Sequence, residues 1–593
     1  MKSFLKFTFA AVLGTLISFL LFLFISIGII SGIASKSEPI VQVKDKTVLI
    51  VNLNQPIVER EPINPFKGFS FGDKESDPKA GSLSGLDRIL KSIEAAKTDS
   101  KIQGIYLNTS YFAGGLASLE EIRNALLDFK ESGKFIYSYS EIYSQSAYYL
   151  ATVADKIYIN PEGMLEFKGL NMDVLFFKNA LEKLEVDMQI IRGRDNKFKS
   201  AVEPFMYEKM SDSNREQMTK LSSSIWNSLL INISKSRNIP IEDLQKYADK
   251  LVSNDLSKAK EFNLVDDLFY QDQVTKDLKE KLELKESESV YFLSLSKYNS
   301  TVKNEIAPRD QRVAVIYANG EIQSGQGNDD IIGSDRIAKA IREAREDESV
   351  KSVVLRVNSP GGSALASEVM WRELVLLKEK KPLVVSMGNY AASGGYYIAC
   401  MADEIYAEAN TITGSIGVFG MFPNAKEMLN NKLGITFDGV KTAENADILS
   451  PYKALTEFQI NVIRDGVEKI YDTFLQHVAD GRDMTVEEVD SIGQGRVWTG
   501  TDALKLGLVD KIGNLEDAIA KAAEMASLTD YRIHELPKQI NPFDELMKSF
   551  EGQVKTNIIK NELGTTYKYY QYLKNISGMQ GYQTRMPYFL EIN

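Results

Sequence analysis

The sequence predicts an α/β protein made of two related halves behind a single apolar N-terminal segment, and three observations carry that expectation. The first is internal repetition. LDRILKSIEAAKTDSKIQGIYLN (86–108) aligns with SDRIAKAIREAREDESVKSVVLR (334–356), and SAYYLATVADKIYI (146–159) with GGYYIACMADEIYA (394–407), all at one shift of 248 residues. The second is alternation within each half. Short β-rich runs (KIQGIYL, KFIYSYS; SVVLRV, PLVVSM) are separated by amphipathic helical patterns, the signature of a parallel sheet with crossover helices. The third is the stretch 7–35, FTFAAVLGTLISFLLFLFISIGIISGIAS, which contains no charged residue.

Taken in chain order, residues 1–6 precede the apolar stretch, which exceeds the ~20 residues a helix needs to cross the hydrocarbon core and the ~7–15 of a cleavable signal sequence. A retained membrane anchor over 7–35 is the expectation. Lys2 and Lys6 lie before it and Lys36, Lys44 and Lys46 after it, so charge alone argues only weakly for a cytoplasmic N-terminus. TVLIVNL (47–53) reads as the first strand, followed by a Pro/Gly/Ser-rich loop up to about residue 85. The first half spans 46–296, the polar, aperiodic stretch 297–311 is a linker, and the second half spans 312–536, starting at the strand RVAVIYA. FNLVDDL (262–268) and LGLVDKI (506–512) correspond late in the two halves. Residues 537–593, with NELGTTYKYYQYL, read as a helical tail.

Composition removes several function classes. At 593 residues with 25% charged and 44% hydrophobic residues, the chain is a multi-domain globular body. Its net charge of −11, without a basic run, offers no footprint for nucleic acid. The one cysteine, Cys400, cannot form an intrachain disulfide, and with two histidines, His477 and His534, a His/Cys zinc site lacks ligands. No metal or cofactor is expected. His477 lies in a helical pattern and His534 in a strand pattern, and neither reads as part of a Ser-His-Asp triad.

Two glycine-rich turns follow strands in the second half: VNSPGGS (357–363) and YAASGGYY (390–397). Backbone N–H groups at such turns can hold an anion or a developing oxyanion, although glycines also serve tight turns alone. Ser393, between small residues at a strand-to-helix turn, has the setting of an accessible nucleophile. With histidine set aside, its base is a lysine. An ordinary lysine, with pKa ~10.4, is neutral about one time in a thousand near pH 7.4, so the base must be desolvated at a cost of ~4 kcal/mol. Composition does not select which lysine.

The strings NKFKSAVEPF (196–205), VNSPGGSALASE, MGNYAASGGYY and TITGSIGVFG resemble the long, duplicated form of the signal peptide peptidase A family. The resemblance covers nearly everything after the anchor. It implies two tandem Clp-protease/crotonase-like domains, Ser393 as nucleophile, Lys199 as general base and Ser415 orienting the lysine. It also implies an oxyanion hole from Gly362, or its neighbour Gly361, and Gly394. The implied substrates are signal peptides and other hydrophobic peptides bound as extended strands, at the outer face of a bacterial inner membrane, in a bowl-shaped homotetramer. Whether the pair forms within one chain or between chains stays open.

The repeat tests this from inside. At the 248 shift Ser393 falls on Gln145; with one gap, Lys183 matches Lys432 and Lys199 falls on Ile448; Ser415 falls near Glu166 and Phe167. Each half lacks what the other supplies, so one site per chain is expected. An acyl-CoA enzyme of the same fold and a non-catalytic membrane scaffold are the rival readings.

Overall fold

A computed structural model of the chain describes residues 6–8, 13–19, 21–22, 41–63, 84–302, 308–540 and 581–586. Most of the expected anchor therefore lies outside the described residues. Its described pieces are helical, and among the described residues no helix is long and apolar enough to cross a membrane.

The first half contributes β1 (Thr47–Val51), β2 (Ile102–Leu107), β3 (Phe135–Tyr143), β4 (Lys156–Leu165), β5 (Asp187–Arg192), β6 (Asp267–Leu268) and β7 (Phe292–Ser294). All but β5 form one parallel sheet in the order β6-β4-β3-β2-β1-β7. The second half contributes β8 (Arg312–Asn319), β9 (Glu321–Gln323), β10 (Ile331–Gly333), β11 (Val350–Ser359), β12 (Gly361–Ser363), β13 (Leu383–Ala392), β14 (Glu404–Ala407), β15 (Ile412–Gly414), β16 (Phe419–Asn424), β17 (Val497–Thr499), β18 (Lys511–Ile512) and β19 (Arg532–Leu536). Its main sheet runs β17-β15-β13-β11-β8-β19, with β14 paired to β13. Both sheets carry apolar clusters on both faces, which is why β1 and most of β8 read as unbroken hydrophobic runs.

The repeat extends to individual bonds. Tyr148 Oη donates to the Leu264 carbonyl and Tyr396 Oη to that of Leu508, each at 2.8 Å. Asp155 accepts from the Ile136 N–H and Asp403 from that of Leu383, each at 2.8 Å. Helices Leu86–Thr98 and Ser334–Glu346 bury the same face, Ile89, Ile93 and Ala96 in one and Ile337, Ile341 and Ala344 in the other.

A third sheet joins the halves. Its order is β10-β9-β12-β20-β16-β5, where β20 (Gly581–Arg585) comes from the tail. β5 leaves the first half to run antiparallel to β16 over six residue pairs, from Phe419 opposite Arg192 to Asn424 opposite Asp187. The tail expected to be helical is outside the described residues except at 537–540 and 581–586, and the latter form β20 and the residue after it. The stretch expected as linker opens inside a short helix, Leu295–Asn299.

Away from that sheet the halves meet across buried charge. Arg356 on β11 is 1% exposed; its Nε lies 2.8 Å from Glu59 and its Nη2 2.5 Å from Glu121, both from the first half. Glu120 accepts from the Asn410 N–H at 3.2 Å, and Glu408 is buried beside these carboxylates. Burial pushes the Glu120 carboxyl up to about 7, and burial together with repulsion from Glu120 and Glu121 holds Glu408 well above the ordinary carboxylate range.

Two outcomes follow for stability. Arg356→Ala leaves two buried carboxylates without their cation and should cost ~3–5 kcal/mol in urea denaturation. Because the Glu120 value lies above its unfolded value of ~4.3, protonation favours the fold. That contribution is complete below about pH 4 and is lost as pH rises through about 7, so the urea midpoint should fall between about pH 5 and pH 8. Glu120→Gln should flatten this slope, and an unchanged slope would show that Glu120 does not take up the proton.

Candidate active site

β13 ends in two small buried residues, Ala391 and Ala392, and the chain then turns sharply at Ser393 into helix Gly394–Ala399. Ser393 has φ 55° and ψ −112°, a conformation that costs an L-residue on the order of 1–3 kcal/mol. Two backbone bonds hold it there: its N–H donates to the Gly414 carbonyl and its carbonyl accepts from the Tyr397 N–H, both at 2.8 Å. Gly395 is needed for close approach, because a Cβ there would fall 2.7 Å from the Ser359 carbonyl oxygen.

The lysine arrives from the other half. After β5 the chain folds over the second half, where the Phe198 N–H donates to the Gln494 carbonyl at 2.9 Å and the Asn196 amide to the Val418 carbonyl at 2.8 Å. Gln217 donates to the Phe198 carbonyl at 3.0 Å and to Ser200 Oγ at 2.8 Å. Glu203 is clamped by the Ser211 hydroxyl at 2.6 Å, the Ser211 N–H at 3.1 Å and the Asn214 amide at 2.9 Å. These bonds fix the backbone on either side of Lys199. Its Nζ then lies 2.8 Å from Ser393 Oγ, 2.9 Å from the Ser415 carbonyl oxygen and 3.0 Å from Ser415 Oγ.

Lys199 is 1% exposed, and Ser393 and Ser415 are wholly buried. Burial alone drives the Lys199 pKa well below its ordinary value, since its hydrogen-bond partners are two hydroxyls and a carbonyl. An amine so placed is poised to accept the Ser393 proton, which is the arrangement of an activated serine.

Ser393 and Ser415 are thus both in hydrogen-bond reach of Lys199 Nζ, and Gly394 follows directly on Ser393. Gly361 lies beside this turn: a Cβ built on it would fall 2.8 Å from the Gly394 amide nitrogen. Gly362, in β12, is paired across from Ile322 of β9 and Thr584 of β20. At the equivalent turn of the first half Gln145 heads helix Gln145–Ala151, where its side chain accepts from the N–H groups of Lys168 and Gly169 at 3.0 Å. A structural clamp stands where a nucleophile would be.

His477 lies 3.0 Å from Glu368 and stacks on Trp371, and His534 sits in the edge strand β19. Neither hydrogen-bonds Ser393 or Lys199. Among the described residues no group of three or more His, Cys, Asp or Glu could hold a metal ion. Four positioning residues escaped the sequence reading: Glu203, Gln217, Gly495 and Thr584. Glu203 had a signal, since it stands in the same NKFKSAVEPF string as the lysine; the others touch the site from distant segments.

The family model described as Peptidase family S49 matches residues 128–285 and 375–529, one segment in each half. The chain is 37% identical over 562 residues to Protease 4 of Salmonella typhi, covering 93% of this chain and 89% of that protein. It is 37% identical over 450 residues to Protease 4 of Haemophilus influenzae, covering 74% and 72%. It is 33% identical over 452 residues to the chloroplastic serine protease SPPA of Arabidopsis thaliana, covering 75% and 66%.

Gly495 offers a test of how finely Lys199 is placed. Its φ is +81°, and an added Cβ would lie 2.5 Å from Lys199 Cα and 2.6 Å from Lys199 N. Gly495→Ala must displace the lysine backbone, and a misplacement of ~1 Å can cost ~10²-fold in rate. The expected outcome is a kcat for peptide hydrolysis reduced ~10- to 100-fold with KM little changed; wild-type kcat would mean that the lysine position is not limiting.

Proposed function

The chain belongs to peptidase family S49 and is a serine peptidase, and from that premise we propose that it is a membrane-bound endopeptidase working through a Ser393–Lys199 dyad. Its substrates on this reading are residual signal peptides and other hydrophobic peptides. The observation that carries the dyad is the 2.8 Å separation of Lys199 Nζ and Ser393 Oγ around a lysine buried without a counter-ion.

Neutral Lys199 accepts the Ser393 proton as Oγ attacks the scissile carbonyl carbon. The resulting oxyanion is taken up by the N–H groups of Gly394 and Gly362, donors that are fixed before the reaction begins. The Lys199 ammonium then gives its proton to the departing amine, leaving an ester on Ser393. Water, deprotonated by the again neutral Lys199, attacks the ester, and the Lys199 ammonium returns the proton to Oγ as the acid product leaves. Ser415 directs the amine by accepting from it through its carbonyl and hydroxyl oxygens. The cycle needs neither metal nor cofactor.

The uncharged stretch 7–35 supports a single-pass anchor, with both halves on the outer side of a bacterial inner membrane. Two tandem domains of the Clp-protease/crotonase type, assembled as a homotetramer, complete the proposal. Its support includes apolar side chains left in solvent along one stretch, Leu433, Ile435, Val440, Leu449 and Phe458, a surface that further copies of the chain would cover. A scaffold or an acyl-CoA enzyme has no use for an uncharged lysine pressed against a serine.

Ser393→Ala and Lys199→Ala should each lower kcat/KM for hydrophobic peptides at least ~10³-fold, and Ser415→Ala should lower it ~10- to 100-fold. Since only neutral Lys199 is active, kcat/KM should climb with pH through the depressed lysine value and level off far below pH 10. Full activity in either of the first two variants, or a rate still climbing at pH 10, would sink the dyad.

A further inference from the structure

Glu368 and Tyr397 join the two helices that start on either side of the reacting serine. Helix Ala364–Lys378 follows β12 directly, so Gly362 stands two residues ahead of it, and helix Gly394–Ala399 begins at Gly394 itself. Tyr397 Oη donates to Glu368 Oε2, and His477 Nε2 lies 3.0 Å from the same oxygen. Tyr397 is also tied to the nucleophile turn, because its N–H donates to the Ser393 carbonyl at 2.8 Å. Beside Glu368, Ser367 Oγ donates to the Ser363 carbonyl at 3.0 Å, and a Cβ built on Gly394 would fall 2.8 Å from that hydroxyl. His477, on helix Glu457–Arg482, is itself held: its ring stacks on Trp371 at 3.5 Å between centroids and meets Tyr397 edge-on at 5.3 Å.

The repeat supplies a comparison. At the shift of 248, Tyr149, Glu120 and Arg123 stand where Tyr397, Glu368 and Trp371 do. Asn232 holds the place of His477, counted from the first residue of helix Asp212–Arg237 and of helix Glu457–Arg482. In the half without a nucleophile, Tyr149 Oη accepts from the Asn232 amide at 2.8 Å, and Glu120 turns across the interface to the Asn410 N–H at 3.2 Å and side-chain amide at 3.3 Å. In the half with Ser393 the tyrosine donates to a carboxylate instead. A hydrogen bond to an ionised acceptor is shorter and about twice as strong as one between neutral groups. The bond from His477, with that from Tyr397, holds the Glu368 carboxyl below its ordinary range despite partial burial.

We infer that Glu368, braced by His477, is a positioning residue for the proposed reaction, and that through Tyr397 it fixes the separation of the Gly362 and Gly394 amides. These two groups belong to different elements, so their spacing is a matter of how those elements are joined. One lies just ahead of helix Ala364–Lys378 and the other at the head of helix Gly394–Ala399, and the Glu368–Tyr397 bond spans the gap about one turn further along both. Donors aimed at a developing oxyanion act by being in place beforehand, and a misplacement of ~1 Å can cost ~10²-fold in rate. His477 contributes by aligning the carboxylate, with its own ring fixed by Trp371. The inference rests on the Ser393–Lys199 reading for the chemistry that the two amides serve.

The test uses the full chain. Tyr397→Phe removes the hydroxyl and keeps the ring that packs against Phe474 and His477, so the fold should tolerate it. It should lower kcat for hydrophobic peptides ~10- to 100-fold while KM stays within ~2-fold. Inhibition by a peptide aldehyde should weaken by the same factor as kcat, because the hemiacetal formed with Ser393 Oγ puts an oxygen where the oxyanion develops. Glu368→Ala should behave alike, and Glu368→Gln, which keeps an acceptor for Tyr397, should recover most of the loss. His477→Ala should cost ~3- to 10-fold and add nothing to Tyr397→Phe, since it acts through that bond. The pH at which kcat/KM levels off should be the same in every variant. In crystals, Tyr397→Phe should show the Gly362 and Gly394 nitrogens displaced relative to each other by ~0.5 Å or more. Wild-type kcat in Tyr397→Phe, a loss carried by KM, undiminished aldehyde inhibition, additive losses in the double variant, a Glu368→Gln variant no better than Glu368→Ala, a shifted pH limb, or unmoved nitrogens would each overturn the inference. If the nitrogens move as expected while the parent enzyme hydrolyses no peptide, the Ser393–Lys199 reading fails and the positioning role of Glu368 stands.

Discussion

A lysine amine works as a base near neutral pH only while water is kept from it, and on the proposed dyad this requirement organises the region around Lys199. Taking its charge out of water is unfavourable by several kcal/mol, and a carboxylate partner would restore the charge and remove the base. The surroundings meet both conditions. Two serines and a carbonyl satisfy the nitrogen without charge, and the Lys199 stem lies against Gly417 and Gly495, where side chains would not fit. The carboxylate in the same segment, Glu203, turns away and is consumed by Ser211 and Asn214.

Keeping water out of one site also explains how the halves are joined. A lysine presented by a surface loop would be hydrated, so the segment carrying it is locked down at both ends. β5 is stitched into the sheet of the other half before it, and Gln217 and Glu203 fix the backbone after it. The charged part of the contact lies elsewhere, around Arg356, where carboxylates outnumber cations and burial raises the pKa of Glu120 and Glu408. Two kinds of buried polar chemistry thus coexist in one interface: a desolvated amine without a counter-ion at the serine, and an ion-paired cluster that ties the sheets together. Duplication made the division possible, because each half could keep one function and turn the other position to structure, as Gln145 does.

The parts of this arrangement visible in the sequence are those whose cause is local. Strands of sheets covered on both faces read as apolar runs, and helices Leu86–Thr98 and Ser334–Glu346 show their buried faces in their spacing. Ser393 was legible because a turn that forces a positive φ on a serine needs small neighbours, and Lys199 because it stands in a distinctive string. Neither β5 crossing to β16 nor β20 entering between β12 and β16 could be read, since pairing partners are set by register across hundreds of residues and leave little trace in composition. GYQTR carries no long apolar run and follows a tyrosine-rich stretch of helical pattern, so its strand state is a tertiary outcome. Gln217 and Gly495 were silent for the same reason.

On the reading proposed above, β20 and the base are not independent. Thr584 and Met586 are buried with β20 in place, and in that state Ser393 is wholly closed off and Lys199 nearly so. β20, paired between β12 and β16, adds backbone, not charge, next to the serine, so it excludes water without offering the amine a counter-ion. A peptide substrate lying in the same register would do likewise. Part of the desolvation that keeps Lys199 neutral would then come from the bound peptide itself, and the free energy of forming two rows of main-chain hydrogen bonds would be spent in making the base competent.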